Sequence, residues 1–293
     1  MRRGAEPPGS PARDRPRAPS WRRPAAAAPL AAALLAVFVW LAATSGPDSS
    51  LAAWDRRIAD AFIAWRSPGR SHLFWGLTLI GNITVLAALS FSAILLFAVW
   101  GRRARAALVA GGLLIGWGIS EVAKVVAGRT RPPAAEALIA LPTSHSMPSS
   151  HAFTTLVFLG VLVYIAFRWG GRDRPATARG GAGLAWGALI AATLIGGAIG
   201  VSRVYLGVHW LSDVLGGWCL GGAWLTAFLA AAGTRSRDAW REGHGWRHAV
   251  WLFLADRAPA KPAVRAGAVV FAVIICVVAV IVGAMADPLL MDL

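Results

Sequence analysis

The sequence is short of acid and nearly without cysteine. Only 14 Asp and Glu stand against 29 Lys and Arg in 293 residues, and the two cysteines are Cys219 and Cys276. Each cysteine lies inside an apolar stretch, which excludes a disulfide framework or a thiolate metal site and leaves both as small buried hydrophobes. No carboxylate cluster is present to hold a hard cation, so no metal and no other cofactor is expected. No basic groove-reading module is visible either, so a formal charge of +15 does not signal nucleic-acid binding.

Apolar residues dominate instead. They make up 57% of the chain, and the mean hydropathy of +0.58 is too high for an ordinary water-soluble domain. Long apolar runs fall at about 25–44, 73–100, 106–127, 151–168, 181–201, 209–232 and 266–286. Each is long enough, with flanking residues, to cross a hydrocarbon core about 30 Å thick. The expected fold is therefore an all-α integral membrane protein with about seven spans. Several of the 15 tryptophans, such as Trp54, Trp65, Trp75, Trp100, Trp169 and Trp210, sit near the ends of these runs, where an amphipathic ring favours the membrane interface.

Between the runs the organisation is uneven. Residues 1–24 are rich in Pro, Arg and Ala without periodicity and read as a disordered cytosolic tail, with Arg22-Arg23 a weak twin-arginine option. The first run reads as a retained span rather than a cleaved signal. Residues 51–66 place Leu51, Trp54, Ile58, Phe62 and Trp65 on one helical face and Asp55, Arg56, Arg57 and Asp60 elsewhere, as in a helix lying in the interface. The stretch 25–232 forms the expected core, 233–265 a basic cytosolic loop containing the short apolar run 249–255, and 266–293 a last span with a short outer tail. Within the second run Asn82 is expected to hydrogen-bond between helices. The pairs Gly112/Gly116, Gly196/Gly200 and Gly217/Gly221 are expected to let helices approach closely.

Charge sets the sidedness. The tail, the 101–105 turn, the 168–180 loop and the 234–265 loop carry 7, 3, 4 and 7 basic residues, 21 of the 29. The positive-inside rule then puts the N-terminus in the cytosol and the remaining eight cations outside, in the plane of a plasma membrane.

Three segments on that outer side concentrate ionisable groups. Lys124 is followed after six residues by Arg131-Pro132; Pro148-Ser149-Ser150-His151 opens the fourth run; Ser202-Arg203 is followed after five residues by His209 and then Asp213. Lys124, Arg131 and Arg203 repel one another unless an anion joins them, and guanidinium groups match phosphate oxygens. Ser149, the amides near Ser150 and a helix start add donors. On a helix, His209 and Asp213 share a face, so Asp213 can accept from Nδ1–H and leave Nε2 as a nucleophile. His151 is then the acid for the leaving group and the base for water. Taken singly these residues have plainer explanations. Lys124 can snorkel, Glu121 can pair with it, Arg129 reads as a solvated surface residue, with attraction of anions the alternative, and His145 reads as a loop residue.

As a set, the segments resemble the signature of the type 2 phosphatidic acid phosphatase (PAP2) superfamily, Lys-x6-Arg-Pro, Pro-Ser-Gly-His and Ser-Arg-x5-His-x3-Asp, over roughly 70–232. Ser150 stands where the family pattern has Gly. The resemblance implies a six-helix membrane core with the last span outside it. It also implies phosphate binding by Lys124, Arg131, Ser149, Ser150 and Arg203, with His209, His151 and Asp213 catalytic and no metal. The activity implied is that of a membrane lipid phosphatase working through a phosphohistidine. A polyprenyl pyrophosphate is the favoured substrate, with phosphatidic acid or phosphatidylglycerophosphate next. A phosphotransferase sharing the intermediate is the near alternative. A transporter or channel is a distant one, since transporters place charges at the midplane rather than at helix ends.

Overall fold

The computed structural model describes residues 24–169, 181–233, 257–286 and 288–289, and is all-helical over them. The basic tail, most of the 233–265 loop with its 249–255 run, and the Arg22-Arg23 pair lie outside the described residues. Nine α-helices are described: α1 (Pro24–Ala43), α2 (Ser50–Ala64), α3 (Pro68–Ile80), α4 (Ile83–Val99), α5 (Arg103–Ala127), α6 (Ser150–Trp169), α7 (Gly181–Tyr205), α8 (Leu211–Gly233) and α9 (Pro262–Ala286). A 3₁₀ turn, Ala134–Glu136, interrupts the long α5–α6 connection.

Six of these helices are long and apolar enough to cross a membrane, and α3 and α4, bent by 41° at their junction, pass the same test only as a pair. The predicted second span is thus interrupted. Gly81 closes α3 and the Asn82 side chain accepts from the Thr84 amide at 2.9 Å, so Asn82 caps α4. The cap is needed here because a chain that turns at this point leaves amides with no helical partner. The break also permits a close approach: a Cβ on Gly81 would lie 2.4 Å from Ile199 and 3.3 Å from the His151 ring.

The core lies among α4, α5, α6 and α8, with α1 packed along α8 through Phe38 and Leu41. Gly217 permits the tightest part of it. A Cβ there would meet the Ser149 carbonyl oxygen at 2.7 Å, so α8 can lie directly against the start of α6. Gly116, Gly200 and Gly221 also face packed neighbours, but Gly196 meets nothing within 4 Å. Lipid supplies no hydrophobic drive for helix association, and many large side chains accordingly point outward, among them Val125 and Val126 on α5.

The helix α2 departs from the amphipathic expectation in one respect. Ser49 caps it by accepting from the Ala52 amide, and Trp54 and Trp65 are exposed as an interfacial helix allows. Asp55, however, is buried, with 1% of its surface accessible, and points into the protein. A buried carboxylate must find donors or cations. Its partners lie at the functional site.

Candidate functional site

The three signature segments come together at one end of the bundle, each delivered by a helix terminus. Lys124 occupies the last turn of α5, which Gly128 ends in the left-handed region at φ 58°. Such a conformation suits glycine and lets the chain turn back at once toward Arg129 and Arg131. The Ser150 that opens α6 is preceded by Ser149, whose amide donates to the Asp213 carbonyl at 3.0 Å. Arg203 lies near the end of α7. Beyond it, the Tyr205 ring stacks on Phe74 at 4.2 Å and the Tyr205 carbonyl accepts from Arg66 at 2.9 Å, which fixes that terminus.

His209 and Asp213 meet by a route other than a shared helical face. The helix α8 begins at Leu211, so His209 precedes it and Asp213 lies in its first turn. The Asp213 Oδ2 accepts from the Trp210 amide at 2.8 Å and from the Ser146 hydroxyl, and lies 3.3 Å from His209 Nδ1. On the other side of the ring, Nε2 is 3.2 Å from Arg131 Nη1. A guanidinium only donates, so Nε2 is the acceptor and the proton sits on Nδ1. Burial first, then the charges of Arg131, Arg203 and Lys124, hold the His209 imidazole well below its usual range, while a backbone hydrogen bond with Ser146 pulls the other way. The ring is therefore neutral at pH 7, with a lone pair directed toward the cations.

The cations are held apart by neutral acceptors. Lys124 Nζ donates to Ser144 Oγ at 3.3 Å, and Arg131 Nε donates to the Ser144 carbonyl at 2.9 Å. Arg131 also reaches the Val208 carbonyl at 2.8 Å, and Arg203 donates to Thr78 Oγ1 on α3 at 2.7 Å. Glu121 approaches Lys124 only to 3.9 Å. Beside this set, Ser149 Oγ, Ser150 Oγ and His151 Nε2 are buried and have no hydrogen-bond partner. Buried polar atoms seldom stay unpaired unless a ligand completes them. Converging cations, orphaned donors and a neutral imidazole nitrogen together make a receptor for a tetrahedral oxyanion.

The predicted surface role of Arg129 is wrong. Arg129 is buried, and its guanidinium bridges two carboxylates at 2.6 Å each, Asp213 through Nη1 and Asp55 through Nη2. Two charges shielded from water on one guanidinium explain why it does not face solvent. Asp55, Arg129, Ser144, Ser146 and Thr78 are therefore parts of the site that sequence reasoning missed. His145 does behave as expected: its side chain is exposed, and its carbonyl alone reaches Arg131. A cavity of about 820 Å³ opens behind Arg129, between the α1–α2 turn and the end of α5, with Trp210 in its wall.

Residues 105–237, from α5 to just beyond α8, match the model of the PAP2 superfamily. The chain resembles the PAP2 superfamily. Its fold is also similar to the crystal structure described as the first transmembrane PAP2 type phosphatidylglycerolphosphate phosphatase from Bacillus subtilis, at a TM-score of 0.61 and 24% identity. That match covers 71% of this chain and 98% of the other. No curated protein matches. The PAP2 match stops before α9, and it begins after α2 and α3, the helices that contribute Asp55 and Thr78.

Proposed function

We propose that this PAP2 protein is a lipid phosphatase that hydrolyses a phosphomonoester or pyrophosphate through a phosphohistidine on His209. The observation that carries the proposal is the placement of His209 Nε2, 3.2 Å from Arg131 Nη1, beside the other cations and the unpartnered Ser149, Ser150 and His151 atoms. A bound phosphoryl group draws Arg131, Lys124 and Arg203 onto its oxygens. In the first transfer Nε2 forms the bond to phosphorus as the bond to the leaving oxygen breaks. His151 gives that oxygen a proton, and Asp213 steadies the ring as it becomes cationic. In the second, His151 takes a proton from water while the oxygen of that water attacks phosphorus. Phosphate leaves, and His209 regains its lone pair. The cations stabilise charge on the equatorial oxygens in both transfers.

The basic residues of the 101–105 turn and of 257–265 meet at the opposite end of the bundle, where the Arg257 amide donates to the Gly101 carbonyl at 2.9 Å. By the positive-inside rule that end is cytosolic, and the site opens to the extracytoplasmic side of the plasma membrane. An outward site suits a carrier lipid left pyrophosphorylated after glycan transfer, which places polyprenyl pyrophosphate first. The Bacillus subtilis neighbour, a phosphatidylglycerolphosphate phosphatase, puts phosphatidylglycerophosphate beside it.

The test is phosphate release in detergent micelles with EDTA present, from polyprenyl pyrophosphate, phosphatidylglycerophosphate and phosphatidic acid, by wild type and His209→Ala. Release by wild type alone supports a metal-independent enzyme that needs His209, and the preferred lipid names the substrate class. Equal release by both overturns the nucleophile. Substrate loss without matching free phosphate identifies a phosphotransferase.

A further inference from the structure

A structural ion pair needs one carboxylate for each guanidinium, yet Arg129 has two. Asp213 takes Nη1 and Asp55 takes Nη2, both at 2.6 Å, and all three side chains are buried. Asp55 is further fixed by Ser212, whose amide donates to Oδ1 at 2.9 Å and whose hydroxyl donates to Oδ2. Ser212 Oγ also lies 2.6 Å from Arg129 Nη1. The group therefore joins the interfacial helix α2, the end of α5 and the first turn of α8. Its formal charge is two negatives and one positive, a net of minus one.

We infer that Asp55 is a positioning residue for the His209–Asp213 pair: by sharing Arg129 it leaves Asp213 with a negative charge still available to the imidazole. This rests on the proposed role of His209 as nucleophile. With Arg129 paired to Asp213 alone, the pair would be neutral, and the ring would gain little as it turned cationic. With Asp55 on the far side of the guanidinium, the unspent negative charge lies next to Nδ1. The same contact fixes the Asp213 carboxylate. Arg129 takes Oδ1, which leaves Oδ2 for His209, Ser146 and the Trp210 amide. Asp55 lies outside the three signature segments and outside the 105–237 match.

Charge counting makes the inference testable. The other charged or titratable groups around His209 are Lys124 from α5, Arg131 from the loop after it, His151 from α6 and Arg203 from α7, and none is altered in the experiment. The full-length protein in detergent is assayed on phosphatidylglycerophosphate across pH as wild type, Asp55→Asn, Arg129→Gln and the double variant, with His209→Ala alongside. His209 must be deprotonated to attack, so its titration sets the acid limb of kcat/KM. Asp55→Asn removes a negative charge. It should move that limb to lower pH and reduce kcat about tenfold, with KM changed less than about twofold, on the scale of one partly screened buried charge. Arg129→Gln should move the limb to higher pH. The double variant restores the net charge and should return the limb toward wild type, an outcome that simple loss of packing does not produce.

An unmoved limb in Asp55→Asn, or a double variant whose limb lies outside the two singles, overturns the inference. Should Asp55→Asn fail to fold, the double variant compared with Arg129→Gln decides: losing the Asp55 charge in that background should bring the limb back to lower pH, and an equal limb in the two overturns the inference. If His209→Ala retains turnover, the proposed nucleophile itself falls. If His209→Ala is inactive while the limbs stay fixed, only the role of Asp55 is lost.

Discussion

The helices α5–α8 and the helices α2–α3 contribute to the same site in different ways. From α5–α8 and their loops come the groups that we propose touch a phosphoryl oxygen or phosphorus: Lys124, Arg131, Ser149, Ser150, His151, Arg203 and His209. From α2–α3 come groups that touch only other protein groups. Asp55 holds Arg129 and Ser212, Arg56 pairs with Glu136 at 2.9 Å, Arg66 holds the Tyr205 carbonyl, and Thr78 takes Arg203. An anion receptor built from repelling cations is unstable by itself, so a separate layer of acceptors has to hold it open before substrate arrives. Division of labour of this kind predicts graded losses. Substitution in the first set should remove chemistry, and substitution in the second should loosen it.

The largest expected loss is at His209. His209→Ala should lower kcat by about 10⁴-fold or more, the scale seen when a nucleophile is deleted from an interdependent set. Arg203→Ala should cost about 10²–10³-fold, as for loss of one donor to a developing oxyanion, measured as phosphate release under saturating lipid. Thr78→Val removes only an acceptor from Arg203. A loss of about 10- to 30-fold, mostly in KM, is expected from one hydrogen bond to a charged group at the lower end of its usual worth; a loss as large as that of Arg203→Ala would erase the distinction between the two helix sets.

Stability gives a further contrast. The His209 ring is held below its usual pKa range, so as pH falls through about 6.5 the unfolded chain takes up a proton that the folded ring refuses. Folding stability therefore declines on acidification, by at most about 1.4 kcal/mol per pH unit from this group, and His209→Gln should flatten that part of a melting-temperature profile. The smallest effect should come from Arg56→Gln, which removes two partly exposed ion pairs, to Asp60 and Glu136, each worth no more than about 1 kcal/mol.

The two layers were unequally legible in the sequence. Lys124, Arg131, His151, Arg203, His209 and Asp213 stand out because a charge in or beside an apolar run is costly and needs a reason. Asp55 did not, because an acidic residue in an amphipathic repeat reads as its solvent face, and its partner is 74 residues away. Ser144 and Ser146 lie in a connection without periodicity, where nothing marks one hydroxyl over another. Thr78 is a single mild polar residue in an apolar run. The break between α3 and α4 was closer to readable, since Gly81-Asn82 is a stop followed by a cap, but the hydropathy on both sides runs on through it.

The last helix has a consequence for the wall behind His151. On α4, the Ser92 hydroxyl lies 3.4 Å from both the Ala272 carbonyl and Cys276 of α9, and Gly283 lies close enough to Asn82 that a Cβ would stand 3.4 Å from its side-chain oxygen. Acyl chains could satisfy none of these polar atoms. The helix α9 therefore serves as insulation, keeping hydrocarbon off a polar seam that ends at the Gly81–Asn82 break. A chain shortened to residue 261 would bare that seam to lipid, and its first symptom should be lower thermal stability in bilayers, with the order of substrate preference unchanged.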